Sequence, residues 1–350
     1  MQFCPSVYEH AAGLIGKTPW EVSRNGQLLS KAHIEAFRLY NHRPVVVGID
    51  IYNLEAEAYG ATVDRPSGTG VPAISRHPYS TAKELMTLEP FNPKTDGRIP
   101  MVIEAAGRVA DECPQADVRI PLCGPFSLAT NLMGFESLLC EIMTSPDLVA
   151  RTLSHLVAGQ VEFCKEVVRR GFPDKIGIAF FESAAVPPLL SPENFRDIEL
   201  GALKMIMEET SAIVGHPVPC IIGGNTAPIL DSILETGTGY VCCPAGTDQK
   251  MFMDKMRAHP NVTVRINMDP RPMTSPVPAQ PPPFASQNEA AGVQAKNFGV
   301  LEKEVDRVLE LANNREKVCI GTGCLPFETD PQIVLKTKEY ILSKNIARAT

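Results

Sequence analysis

Residues Ile176–Phe195 read IGIAFFESAAVPPLLSPENF: an apolar run, then Glu182 and Ser183, then the start of an amphipathic stretch over Pro192–Val214. A run that is apolar throughout, without alternation, is the pattern of a strand buried on both faces of a parallel sheet. Runs of the same kind recur at Val45–Asp50, Val118–Cys123, Val218–Ile222, Tyr240–Cys243, Val262–Asn267 and Val318–Gly321. Helical stretches separate them. Pro146–Arg170 carries Leu148, Leu153, Leu156 and Val157 on one side, and Leu301–Asn313 is another. Strand and helix alternating at this spacing are βα units. The expected fold is therefore α/β, a single (β/α)8 barrel of the TIM type, although these runs supply seven strands and leave the eighth unplaced. With seven, an open doubly wound sheet is the other arrangement available.

Two segments break the rhythm. Residues 1–40 are expected to be mainly helical, an N-terminal extension ahead of a catalytic barrel over 41–350. Residues 269–283 hold Pro270, Pro272, Pro276, Pro278, Pro281, Pro282 and Pro283, too many prolines for a helix or a central strand. A long irregular loop after a strand end is expected to be a lid or binding loop on the active-site side.

Composition narrows the function classes. At 350 residues with 44% apolar and 21% charged side chains, the chain can bury a large core. A net charge of −7 lacks the basic footprint of a nucleic-acid binder. No apolar run is long enough to span a membrane, and Met1–His10 has no signal-peptide pattern, so a cytoplasmic location is expected. Ten scattered cysteines in such a chain read as reduced thiols, mostly packing groups, with two or three free to meet a soft metal. The seven histidines form no HExxH or HxxxH pair.

In a parallel barrel the working side chains collect at the C-terminal ends of the strands. Those ends carry Asp50, Glu182 with Ser183, Asn225 with Thr226, Cys242 with Cys243, Asn267 with Asp269, and Cys324. Cys324, set in CIGTGCLP, is either a metal ligand or a packed thiol. Glu182 is either an acid in the site or a carboxylate solvated in a loop or capping a helix. Gly223-Gly224-Asn225-Thr226 can hold an anion on backbone N–H groups, or can simply be a turn. His77, in SRHPYS, is an acid or base candidate or an ordinary loop histidine. Phe126, Phe180, Phe181 and Met268 are candidate apolar walls of a pocket, or core. No P-loop, GxGxxG or GxSxG motif occurs.

Several of these strand-end segments together resemble the uroporphyrinogen decarboxylase superfamily, and within it the corrinoid-dependent methyltransferases. The carriers are GIDIYNLEAEAYG, DGRIPMVIEA, GPFSLATNLMG, FFESAAVPPLLSPENF, GGNTAPILDSILETG, INMDP and GTGCLPFETDPQIVLKTKEYI. The resemblance implies a (β/α) barrel and methyl transfer between a small substrate and cobalamin carried by a partner corrinoid protein, assisted by zinc. The chain has no DxHxxG motif, so cobalamin is expected to arrive on the partner. The haem-pathway decarboxylases carry an arginine-rich N-terminal segment, and nothing of that kind precedes Asp50.

The methyltransferases that act on thiols show a His-x-Cys-Gly-Asn motif with a second cysteine downstream. Here Cys324 stands for the second, but aligning Gly224-Asn225-Thr226 puts Ile221 and Gly223 where the upstream ligands belong. Cys220 is close by, yet its strand parity turns it toward the helices. Three possibilities follow. Zinc is held by Cys324, Glu182 and Cys242; or no metal is bound and Glu182 or His77 is the acid; or a shifted register restores Cys220. The departure moves the expected substrate from a thiol to an oxygen-bound methyl group, such as an aromatic methyl ether. Glu182, Asp50 and His77 are then the catalytic candidates, and Asn225, Asn267 and Phe181 the substrate-binding ones. The alternatives are a decarboxylase, which needs convergent arginines from among Arg65, Arg76, Arg98, Arg265 and Arg271, and a non-catalytic tetrapyrrole-binding protein.

Overall fold

The computed structural model describes residues 2–170, 176–274, 287–313 and 315–349. The strands, in chain order, are β1 (Gln2–Ser6), β2 (Val45–Val46), β3 (Thr62–Asp64), β4 (Ala73–Arg76), β5 (Val118–Cys123), β6 (Ile176–Glu182), β7 (Cys220–Ile222), β8 (Tyr240–Cys243), β9 (Thr263–Met268) and β10 (Val318–Cys324). Eight of them form one parallel sheet in the order β1-β10-β9-β8-β7-β6-β5-β2. This is the neighbour order of a (β/α)8 barrel, nearly closed, with no ladder between β1 and β2. The strands β3 and β4 are an antiparallel pair inserted after the second barrel strand.

The eighth strand is β1, inside the segment expected to be helical. The helices Tyr8–Leu14, Pro19–Ser23 and Gly26–Tyr40 follow it and lead to β2, so they form the first strand-to-strand crossover. Two features make β1 inconspicuous in the sequence. The run QFCPS is short and mixed, and Pro5 has no N–H to offer a central strand. Proline is tolerated because β1 pairs with β10 alone and its register shifts between Cys4 and Ser6. At the open seam a side chain replaces part of the missing ladder: the Gly48 N–H donates to His33 Nε2 at 3.1 Å.

The strands sort their side chains by parity. Ile178, Phe180, Cys220, Ile222, Cys243, Ile266, Met268 and Ile320 pack in the main core between barrel and helices. Ala179, Phe181, Ile221 and Cys242 form a separate cluster inside the barrel with Tyr8 and Ile51. The outer layer is almost wholly aliphatic and aromatic, which is why each run reads as apolar. Inside, Arg265 and Asn267 are buried alongside that cluster, an unusual content for a position that branched aliphatics commonly fill.

Of the proline-rich stretch 269–283, residues 275–283 lie outside the described residues. Its first part, Arg271–Met273, is a short 3-10 turn whose N–H at Met273 donates to the Pro270 carbonyl. Among the described residues no helix is long and apolar enough to cross a membrane.

Candidate active site

A cavity of about 550 Å³ opens at the C-terminal ends of the strands. Its walls include Tyr8, Ile51, Phe181 and Ile221, its deeper polar groups are Cys242, Arg265 and Asn267, and Val71, Pro72 and Cys324 stand on its margin. A deep, largely apolar space with a few converging polar groups is the usual form of a small-molecule site.

The residues expected at the site divide into three groups. Phe181, Asn267, Cys242, Cys324 and Asp50 all border the cavity. Tyr8 meets Phe181 edge-on, ring centroids 6.3 Å apart. Asp50, although at the wall, is already engaged. Arg98 Nη1 and Nη2 donate to its two carboxylate oxygens at 2.8 and 2.7 Å, and Asn53 Nδ2 donates to Oδ2 at 3.1 Å. Arg98 also pairs with Glu57 and with the Ser23 carbonyl, so the whole array ties the second strand end to the helix that starts at Ile99. Asp50 thus borders the cavity with both carboxylate oxygens already held.

Glu182, Asn225 and His77 do not border the cavity. Glu182 follows Phe181 on β6, so it takes the opposite parity and points into the outer layer. There it is fully occupied: its carboxylate accepts from the Ser127 hydroxyl, from Ser127 N–H at 3.0 Å, and from the N–H groups of Ser183 and Ala184 at 2.8 and 2.9 Å. Gly124 is required beside it, because a Cβ there would be driven into Glu182 Oε2. Glu182 is thus the clamp that joins β6 to the helix Pro125–Met133, and the role of catalytic acid does not fit its surroundings. Asn225 accepts from Thr247 Oγ1 at 3.0 Å, linking the turns after β7 and β8. His77 is exposed, with Nδ1 2.9 Å from the Asn131 carbonyl.

The ligand set Cys324, Glu182 and Cys242 is not assembled. Two thiols border the cavity, but the carboxylate is turned out of it and saturated. Among the described residues no three His, Cys, Asp or Glu side chains converge as a metal-binding group. Cys242 instead receives Asn267 Nδ2 at 3.2 Å and Arg265 Nη2 at 3.7 Å. Burial pushes its thiol up, against the opposing pull of Arg265. Cys220 is buried in the outer core, as its parity requires. Phe126, Phe180 and Met268 are there too, so of the four apolar wall candidates only Phe181 faces the cavity.

Three residues that the sequence analysis did not place at the site come from the first and second strand ends. Tyr8 and Glu9 border the cavity just after β1, and Tyr52 does so after Asp50. Burial pushes both phenols above their usual range. Burial, with a smaller contribution from the charge of Glu328, raises the Glu9 carboxyl as well. The signal that would have exposed Glu9 is the position of a strand end, and it was lost with β1.

Eight parallel strands ringed by helices, with an accessible cavity at the strand C-termini, define a barrel of the enzyme class. The chain belongs to the uroporphyrinogen decarboxylase (URO-D) family, whose profile matches residues 2–278. Among solved structures, a methyltransferase from Methanosarcina mazei superimposes over 100% of this chain and 94% of its own, with a TM-score of 0.74 and 18% identity. Xylanase B from Clostridium stercorarium F9 matches 63% of this chain and 72% of its own at a TM-score of 0.39 and 14% identity. No curated protein matches the chain.

Proposed function

We propose that the chain transfers a methyl group between a small substrate and cobalamin carried by a partner corrinoid protein, the substrate being an aromatic methyl ether. The observation that carries this reading is the cavity itself: an apolar space walled by Tyr8 and Phe181, with the raised carboxyl of Glu9 at its edge. The whole-chain likeness to a methyltransferase fold supports it.

Cleaving an ether at the methyl carbon leaves the electron pair on oxygen, and that oxygen must be stabilised as it departs. Reduced cobalamin would supply the nucleophile for the methyl carbon. The chain's own part is to position and to protonate. Tyr8 and Phe181 hold an aromatic ring by their faces and edges. Glu9, whose carboxyl burial shifts toward the protonated form, gives its proton to the leaving oxygen. The hydroxyls of Tyr8 and Tyr52, also protonated, are further donors to the same oxygen. The donor set expected for zinc does not fit this arrangement, and a Brønsted acid takes its place.

Decarboxylation is a second reading, favoured by the buried guanidinium of Arg265. A tetrapyrrole with many carboxylates would need more cations than the cavity presents. Of the five candidate arginines, Arg265 alone borders it; Arg98, Arg76 and Arg271 are paired with Asp50, Asp64 and Asp269, and Arg65 is exposed. On this reading the substrate is a small acid with a single carboxylate facing Arg265.

The test is turnover of a panel of methyl ethers with cob(I)alamin, followed by the loss of its absorption, alongside release of carbon dioxide from the corresponding acids. Methylation of cobalamin by an ether, sharply reduced in Glu9→Gln, supports the proposal. Carbon dioxide release without methylation would replace it with the second reading.

A further inference from the structure

Arg265 is buried, with 6% of its surface exposed, and faces the barrel interior one layer beneath Asn267. Among the described residues its guanidinium has no carboxylate partner. Its one hydrogen bond runs to Cys242 Sγ, and its Nε has no acceptor. Asn267, in the next inward position on β9, likewise has an unpartnered Oδ1. Arg98, the other buried arginine at this end of the barrel, shows what a satisfied guanidinium looks like here: two carboxylates and a carbonyl surround it. A buried cation left without a counter-ion is costly, and proteins retain one where a ligand completes it.

Resting on the methyltransferase reading above, we infer that Arg265 receives a carboxylate of the substrate, so that the ether is a methoxylated aromatic acid and not a neutral ether. The planar fork of arginine matches a carboxylate through two parallel hydrogen bonds. The ring of such a ligand would lie against the Tyr8–Phe181 pair, which borders the same cavity as Arg265. Its methoxy group would then lie toward the mouth, where Glu9 stands.

The test is calorimetric titration of the whole chain, without corrinoid, using 4-methoxybenzoate and its uncharged twin 4-methoxybenzamide. The acid is expected to bind roughly 10- to 100-fold more tightly than the amide, the value of a charge-assisted pair shielded from water. Arg265→Gln should abolish that preference and Arg265→Lys should keep part of it. Should Arg265→Gln fail to fold, the acid-to-amide ratio of the native chain decides alone. Equal binding of the two probes, or binding of neither, overturns the inference. Because no methyl transfer is needed, the two proposals separate. An acid preference without turnover sinks the methyltransferase reading and leaves Arg265 as a carboxylate receptor. Turnover of neutral ethers as fast as acids does the reverse.

Discussion

Arg98 grips Asp50 through two parallel hydrogen bonds, Nη1 to Oδ1 at 2.8 Å and Nη2 to Oδ2 at 2.7 Å, with both residues buried. The pair joins the second strand end to Arg98, 48 residues later, the residue that caps the helix starting at Ile99. Removing one member of a buried pair leaves the other charged and alone, which costs about 3–5 kcal/mol. Arg98→Met and Asp50→Asn should each lower stability by about that amount in urea unfolding. A loss under 1 kcal/mol in both would show that the pair does not hold the strand end.

Glu182→Gln tests whether this carboxylate is a clamp or an acid. A clamp that accepts from a hydroxyl and several N–H groups should lose roughly 2–3 kcal/mol of stability when its charge is removed, while turnover per folded molecule stays within a few-fold. Gly124→Ala should do the same by forcing the carboxylate aside. Unchanged unfolding combined with lost turnover would restore Glu182 to the chemistry.

Glu9 carries the pH dependence of the proposed transfer. Its carboxyl is raised by burial and must be protonated to act, so the rate should fall as pH rises through that raised value. Glu9→Gln should lower the rate about 10²- to 10⁴-fold, the usual share of a general acid, and should flatten the profile. A rate–pH curve identical in the variant would assign the proton elsewhere, with Tyr8 and Tyr52 the next to examine.

Three histidines near the seam between β1 and β2 should make the fold sensitive to acid. Burial lowers His10 and His33 to about 4 and His42 to about 3, from an ordinary value of 6.5. The unfolded chain therefore takes up protons first. Stability is whole above pH 6.5 and falls, by up to about 1.4 kcal/mol per pH unit for each histidine, until the folded values are reached. Both ring nitrogens of His42 lack partners, so His42→Leu should remove one histidine's share of the slope between pH 6 and 4. Parallel stability curves for the two proteins would contradict this account.

Much of the barrel was legible because its outer layer is apolar on every strand. Seven runs announced seven strands, and their polar ends pointed to the right face of the molecule. The eighth, Gln2–Ser6, was illegible because its burial comes from pairing with β10, more than 300 residues away in the chain, and not from its own composition. With it went Tyr8 and Glu9. Within the legible strand ends, the polar residue immediately after an apolar run was the conspicuous one, as with Glu182 after Phe181. Parity placed Phe181 in the cavity and Glu182 outside it.

The sequence by itself determined the repeating βα order, the end of the barrel that would carry the chemistry, and the family, since these depend on hydrophobic runs and on local segments in a fixed order. Tertiary structure alone decided which side chains are free to act. Asp50 and Arg265 both look available as letters; one is neutralised by Arg98 from the start of a distant helix, and the other lines the cavity with no carboxylate partner among the described residues. The reason is physical. The availability of a charged group depends on its partners and its access to water, and both are set by residues that meet only when the barrel closes.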